Sequence, residues 1–260
     1  MKTWILELWH YRELLWAFTL KEIKIRYKQT ILGTAWAILQ PAALTIIFSL
    51  IFGLFLRIDS QGVPFIVFYY SALLPWTFVT TSISFGSLSV TNNSGLVTKV
   101  YFPREILPFS TIGAAFFDLL MGSVIFIFLM LLYGITFSPS LIFIAIIAPT
   151  LLILTSGISL ILSAINVLFR DVKFVVPLVL QIWLYASPII YTIDRIPDSI
   201  RKFYIFNPVA PLIQSFRDVT VLGRDPNFKE LSLAILLSIL IFLVGYLFFK
   251  RKERIFADVI

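Results

Sequence analysis

The stretch ILPFSTIGAAFFDLLMGSVIFIFLMLLY, residues 106–133, contains one charged side chain, that of Asp118. Such a run is long enough to cross the hydrocarbon core of a bilayer, which is about 30 Å thick and takes about 20 helical residues. Lipid offers no hydrogen-bond partners, so the backbone must satisfy its own polar groups within a helix. The stretch is therefore predicted to be a transmembrane helix.

Five further apolar runs lie on either side of it, over residues 33–56, 63–90, 141–169, 174–191 and 231–249. The 260-residue chain is 59% hydrophobic and 13% charged, whereas soluble domains are about 25% charged. We therefore predict an all-α membrane protein with six transmembrane helices, which together form one domain over residues 33–260.

The amino-terminal residues 1–32 mix tryptophans with charged side chains at helical spacing. Glu7, His10, Arg12 and Glu13 interrupt any signal-peptide core, so we expect this segment to be retained. It is predicted to be an amphipathic helix at the cytoplasmic membrane interface. The alternative is a soluble amphipathic helix that packs on a partner.

Lysine and arginine residues gather before the first predicted span, between the second and third, between the fourth and fifth, and after the last. The positive-inside rule then predicts a multi-pass protein of the cytoplasmic (inner) membrane with both termini cytoplasmic. Residues 192–230 are the exception, because they carry basic residues on the outer side. Prolines interrupt their helical pattern, which predicts two short outer re-entrant helices joined at Asn207 and Pro208. An ordinary outer loop is the alternative.

The sequence lacks the residues of several functional classes. It has no cysteine and one histidine, so we expect no metal site, and it contains neither a phosphate-binding loop nor a hydrolase motif. We therefore expect no catalytic site and no cofactor in this chain. The net charge of +7 comes without a nucleic-acid motif, so membrane lipids rather than nucleic acid are the expected contacts.

Asp118 is the only ionisable group near the middle of a predicted span. One carboxylate alone argues against an ion-coupled transporter. Two roles are predicted for Asp118. It either makes a polar contact on a translocation path or at a subunit interface, or it is a buried, hydrogen-bonded packing residue.

The predicted inner loop, residues 91–105, combines aromatic and charged residues in a short connection. It could dock into a groove on a soluble partner, or it could rest on lipid headgroups.

Six motifs occur in order along the chain: ILGTAWAILQP (31–41), LLPWTFV (73–79), KVYFPREILP (99–108), INVLFRDVK (165–173), SPIIYT (187–192) and NPVAPLIQSFRD (207–218). This ordered set resembles permease subunits of ABC transporters of the type 2 exporter class. Within that class it resembles the branch that exports lipid-linked O-antigen, teichoic acid or capsular polysaccharide.

The resemblance implies a homodimer that works with two copies of a separate ABC ATPase, which would bind the ATP and magnesium. It implies an ATPase-coupling interface at Lys99, Tyr101, Phe102, Pro103, Arg104, Glu105, Arg170, Asp171 and Lys173. It also implies outer re-entrant helices that include Asn207, Pro208, Arg217 and Asp218.

Aromatic rings stack on sugars, so some could line a polysaccharide path, although rings near span ends also serve as interfacial anchors. The path residues that we predict are Trp36, Phe48, Phe52, Trp76, Asp118, Trp183, Tyr185 and Tyr191.

The expected function is therefore export of lipid-linked polysaccharide, with O-antigen as the first choice of cargo. Teichoic acid or capsular polysaccharide is the alternative cargo. Two other functions stay open: a permease for efflux of small amphipathic molecules, and a scaffold or biosynthetic subunit that handles polyprenyl lipids.

Overall fold

The computed structural model describes residues 9–28, 33–192, 204 and 206–259, and this part of the chain is helical with short connections. The amino-terminal helix α1 spans Arg12–Tyr27. Its predicted first residues, 1–8, lie outside the described residues. The same is true of 193–203, on which most of the first predicted outer helix falls.

All six predicted apolar runs form helices, and the all-helical fold class is confirmed. These helices are α2 (Trp36–Phe48, continued by a π-helical segment at Ser49–Phe55), α3 (Phe65–Asn92), α5 (Ile106–Leu132), α6 (Ile144–Leu168, preceded by a 3₁₀ segment at Pro139–Phe143), α7 (Val172–Tyr185) and α9 (Phe228–Lys252). The shorter elements are α4 (Ser94–Lys99), α8 (Val209–Thr220), a 3₁₀ segment at Glu253–Ile255 and α10 (Phe256–Val259).

Among the residues that the structure describes, four apolar helices are long enough to cross a membrane, namely Phe65–Asn92, Ile106–Leu132, Pro139–Leu168 and Phe228–Ile255. The apolar stretches Leu39–Phe55 and Val172–Tyr185 are shorter. Six crossings therefore remain a prediction.

Helix α7 ends at Tyr185, whereas we expected the fifth span to continue to Tyr191. Its 14 residues rise about 21 Å, which is less than the bilayer core. Pro188 explains the early end, because proline has no N–H and disfavours helical backbone at the preceding Ser187.

Helix α3 is the central element of the bundle. In the most apolar stretch of α3, 78% of the residues are buried, compared with 22% in the corresponding stretches of α5 and α9. The helix packs against α2, α5, α6, α7 and α8. Helices α2, α5, α6 and α7 therefore pack around α3, whereas α9 packs mainly on α6. Helices α5 and α9 leave much of their own surface for lipid or another chain.

Helices α6 and α9 approach each other backbone to backbone. A Cβ atom on Gly245 would lie 2.3 Å from the carbonyl oxygen of Gly157, closer than any real contact. Small residues allow this proximity, which favours helix association in lipid.

Hydrogen bonds join the helix ends at two levels. At one level the Asn166 side-chain amide, near the end of α6, donates to the Thr91 hydroxyl at the end of α3, at 3.0 Å. At the opposite level the Ser140 hydroxyl donates to Asp225 at 2.6 Å. We call these the inner and outer ends, following the predicted orientation.

Candidate functional site

A knob formed by residues 94–105 protrudes at the inner end between α3 and α5. At its tip Tyr101 is 92% exposed, and Lys99 and Val100 are also exposed. Phe102 turns inward and stacks on Phe18 of α1, with 5.9 Å between the ring centroids. The knob therefore presents one free aromatic ring while a second ring anchors it.

The base of the knob is tied to the end of α9. Lys250 Nζ lies 2.8 Å from the Glu105 carboxylate and 3.1 Å from that of Glu253. Arg104 donates to the backbone carbonyl of Glu253. Glu105 is fully buried, so within this chain it positions the knob and does not face a partner.

The second predicted coupling motif lies exposed at the start of α7. Arg170, Asp171 and Lys173 are all accessible, and the Lys173 ammonium lies 4.9 Å from the centre of the Phe174 ring. A groove of about 300 Å³ joins Arg170 and Lys173 to Ser94 at the start of the knob. The groove thus joins the second predicted motif to the start of the knob on one inner surface, whereas the predicted coupling residues 99–105 do not line it.

Asp118 binds the amino-terminal helix of its own chain. Arg26 Nη1 lies 2.5 Å from its Oδ2 atom, and the Tyr27 hydroxyl donates to its Oδ1 atom. Arg26 also donates to the Thr111 carbonyl at 3.2 Å, and its guanidinium lies 4.2 Å from the centre of the Phe85 ring. We call these contacts the Asp118 cluster.

The Asp118 cluster fixes α1 against α5. Nearby, a Cβ atom on Gly113 would lie 2.9 Å from the Thr19 side chain, so the two helices are in close contact. Burial, followed by the adjacent Asp118, raises the pKa of Tyr27, which therefore stays protonated and donates. Asp118 thus makes a partly buried contact within its own chain, and its role on a translocation path or at a subunit interface stays a prediction.

A niche of about 530 Å³ lies beside this cluster, bounded by α1, α2, α3 and α5. Of the predicted path residues, Trp36 and Asp118 line it. Its other lining residues include Gln40, Leu44, Thr77, Thr80, Thr81, Phe85 and Leu119. The lining runs from the inner end of α2 and the inner half of α3 to the middle of the bundle, at Thr77 and Leu119.

Most of the remaining predicted path residues lie in or against one apolar cluster, namely Trp76 within it and Phe48, Phe52, Trp183 and Tyr191 packed on it. Phe48 stacks on Tyr69 at 5.0 Å and on Phe52 at 5.4 Å. Trp76 is buried and meets the edge of Trp183 at 6.1 Å. The other two lie near the outer end, where Tyr185 is exposed and the Tyr191 hydroxyl shares a 2.6 Å hydrogen bond with that of Tyr204.

The outer segment contains a buried helix, α8, that begins after Pro208. Asn207 precedes it, and its side-chain oxygen accepts a 2.9 Å hydrogen bond from the Trp183 indole. Asp218 accepts hydrogen bonds from Arg224 at 2.8 Å and Gln214 at 2.9 Å. Burial raises the pKa of Asp218 even though these donors oppose the shift.

Arg217 on α8 is fully buried, with its guanidinium carbon 3.9 Å from the centre of the Phe68 ring. Its Nη2 atom donates to the carbonyls of Pro188 at 3.1 Å and Ile189 at 3.0 Å. These carbonyls follow the early end of α7, so Arg217 connects α7 to α3 at the outer end.

Sequence reasoning missed Arg26 and Lys250 as ion-pair partners, because both were counted only as basic residues at the inner side. A signal was present for Arg26. A lone carboxylate in an apolar span needs a cation, and basic residues of the amino-terminal segment were available.

Comparison with known proteins gives the family of the chain. Residues 13–221 match the family model described as ABC-2 type transporter. The chain is 31% identical over 252 residues to an O-antigen export system permease protein RfbA of Klebsiella pneumoniae, with 95% of each chain covered. It is 30% identical to an RfbA of Myxococcus xanthus, with 97% of each covered, and 27% identical to the polysialic acid transport protein KpsM of Escherichia coli, with 92% of this chain and 93% of KpsM covered. The chain belongs to the ABC-2 type transporter family.

Proposed function

We propose that this chain is the membrane-spanning permease of an ATP-driven exporter that moves lipid-linked polysaccharide across the cytoplasmic membrane. The observation that carries the proposal is similarity along almost the whole chain to permeases named for O-antigen export. O-antigen is the proposed cargo. Capsular polysaccharide, which the similarity to KpsM favours, and teichoic acid are the alternatives.

Hydrolysis of ATP is assigned to a separate partner subunit. The sequence has no phosphate-binding loop, so the energy for transport must come from another chain. Two ATPase subunits would dock at the inner end of a permease homodimer. Exposed residues at the inner end suit this contact, with Tyr101 of the knob as an aromatic anchor and Arg170 and Lys173 as charges at the groove.

Motion of the ATPases would reach the membrane through the base of the knob. The Glu105–Lys250 ion pair connects the knob to α9, and the Phe102–Phe18 stack connects it to α1. Helix α1 is in turn tied to α5 by the Asp118 cluster. A push on Tyr101 would therefore move α1, α5 and α9 together.

The homodimer interface is assigned to α2 and α7, and the polysaccharide path would run along it. Both helices expose apolar side chains, including Leu54 and Phe55 on the first and Phe174 and Ile182 on the second. Bringing two copies together would also gather path aromatics that lie apart in one chain, such as Phe52 and Tyr185.

Co-purification tests the coupling proposal. The chain is expected to capture the ABC ATPase of the same organism, and to have no ATPase activity alone. Replacement of Tyr101 by alanine is expected to weaken capture, whereas Tyr133→Ala, an exposed tyrosine at the outer end of α5, is the matched control. Robust hydrolysis by the purified chain alone would contradict the assignment.

Labelling of single cysteines tests the orientation, because the natural chain contains no cysteine. Tyr101→Cys is expected to react only with reagent that reaches the cytoplasm. Lys229→Cys is expected to react from outside. The reverse pattern, or labelling of both from one side, would overturn the six-span topology.

A further inference from the structure

The carboxy-terminal segment, residues 253–259, packs against the knob. It consists of the 3₁₀ segment Glu253–Ile255 and helix α10 (Phe256–Val259), which follow α9 and lie beyond all six sequence motifs. Helix α10 contacts α4, the first part of the knob, and α6, the helix that ends just before Arg170. The segment therefore lies at the inner end, next to the parts of the chain that carry the predicted coupling motifs.

Phe256 holds the segment in an apolar core at the inner end. Its side chain is fully buried and meets the edge of the Phe249 ring, with 5.3 Å between the ring centroids. The same core contains Val97 and Phe102 of the knob, which are also buried. The knob and the carboxy-terminal segment therefore share one core.

Polar contacts join the same two parts of the chain. Arg104 donates to the backbone carbonyl of Glu253, and Lys250 Nζ lies 2.8 Å from the carboxylate of Glu105 and 3.1 Å from that of Glu253. The resemblance implied that Arg104 and Glu105 face an ATPase. In the structure both instead bond to the end of α9 or to the residue after it, so they fix the knob to the carboxy-terminal residues.

The knob depends on this shared core for its shape. Its helix α4 has six residues, Ser94–Lys99, whereas isolated helices shorter than about 12–15 residues are only marginally stable in water. Tyr101, the exposed tip, follows α4 and precedes Phe102, which the core holds. Loss of the Phe256 ring would leave a cavity in the core that holds Val97 and Phe102, and the position of Tyr101 would become less fixed.

We propose that residues 253–259 form a brace that positions the knob for binding to the ATPase, with Phe256 as the positioning residue. The inference rests on the proposed function, which supplies the ATPase. Because Phe256 is fully buried, it acts through the knob and not by contact with the partner.

Hydrogen–deuterium exchange of the purified chain in nanodiscs tests the positioning without a partner. The backbone amides of Leu96, Val97 and Val100 are hydrogen-bonded to carbonyls three or four residues earlier, and they exchange when the knob opens. Phe256→Ala is expected to speed this exchange about tenfold, a modest part of what a buried ring contributes. Phe126→Ala, which removes another buried ring from the outer half of α5, is the matched control and should leave exchange in the knob unchanged.

Affinity for the ABC ATPase of the same organism, measured with the same nanodiscs, tests the consequence. If Phe256→Ala leaves the knob in its binding arrangement for about a tenth of the time, the apparent Kd for the ATPase rises about tenfold. Phe256→Leu, which keeps a large apolar side chain, is expected to retain most of the affinity, and Phe126→Ala all of it. In a chain that already carries Tyr101→Ala, Phe256→Ala should raise the Kd by less than about threefold, because the anchor that the brace positions is gone.

Three results would overturn the inference. They are exchange in the knob that Phe256→Ala does not change, a Kd that rises as much with Phe126→Ala as with Phe256→Ala, and effects of Tyr101→Ala and Phe256→Ala that multiply independently. If the alanine variant does not fold, Phe256→Val, which removes less apolar volume, carries the same comparisons. A chain that binds no ATPase would refute the proposed function and this inference with it. A chain that binds the ATPase with unchanged affinity after Phe256→Ala would refute this inference alone.

Discussion

Replacing Arg26 and Asp118 together is expected to cost little more stability than replacing either one alone. The structure places the pair 2.5 Å apart with side chains 10% and 21% exposed, and Tyr27 is the second donor to the carboxylate. Arg26→Gln would leave a carboxylate within the bundle with only Tyr27 to stabilise it. Asp118→Asn would leave a guanidinium held by the Thr111 carbonyl and the Phe85 ring.

The magnitude follows from the burial of the pair. Removing one partner of a buried ion pair costs about 3–5 kcal/mol. Because the remaining contacts are retained, we expect about 3 kcal/mol for Arg26→Gln and about 2 kcal/mol for Asp118→Asn. The double variant carries no charge at this position and should cost about 2–3 kcal/mol, so the coupling energy is about 2–3 kcal/mol.

Unfolding in mixed micelles measures this coupling, with helix content followed by circular dichroism as the fraction of denaturing detergent rises. Lys21→Gln is the matched control, because Lys21 lies on the same helix and donates to the neutral Asn93 side chain at 2.7 Å. Its loss should cost no more than about 1 kcal/mol. Single-variant effects that add within about 0.5 kcal/mol in the double variant would refute the reasoning.

Three further predictions concern the knob, the α6–α9 contact and the outer end. Tyr101→Ala should change the free energy of unfolding by less than about 0.5 kcal/mol, because the ring is exposed, but it should reduce export. Unchanged export would rule out the coupling role of Tyr101. Gly245→Ala should lower the free energy of unfolding by about 1–3 kcal/mol, whereas Gly95→Ala, with open space around it, should not. Equal melting temperatures for Gly245→Ala and the wild-type chain would disprove the close contact. Arg217→Met should cost about 2–4 kcal/mol. Arg217→Lys should not restore stability, because a lysine ammonium cannot bond the Pro188 and Ile189 carbonyls while also stacking on Phe68 and bonding Gln214, as the planar guanidinium does. Full rescue by lysine would contradict this.

The helical architecture could be predicted from the sequence because lipid imposes one rule on every apolar run. The third predicted span, 106–133, agrees with α5 at Ile106–Leu132 almost to the residue. The exception was the fifth span. It was predicted to run through Pro188 to Tyr191, but the carbonyls of Pro188 and Ile189 bond to Arg217, and the helix ends at Tyr185.

The contacts at the candidate site could be predicted less well, because they join residues distant in the chain. The inner loop was recognised as a distinct feature, but its sequence does not reveal which side chains face outward. Glu105 is buried against Lys250, whereas Tyr101 is free. Hydropathy patterns describe single segments, and these pairings depend on how segments pack.

The measurement that tests the proposed function most directly is the fate of lipid-linked polysaccharide when the gene for this chain is deleted. Pulse labelling of the glycan, followed by surface accessibility and extraction of the lipid-linked form, separates synthesis from export. We expect surface polysaccharide to disappear while the lipid-linked form accumulates on the cytoplasmic side, and the wild-type chain to restore export. Normal surface polysaccharide with altered sensitivity to small amphipathic molecules, or loss of glycan synthesis itself, would contradict the assignment.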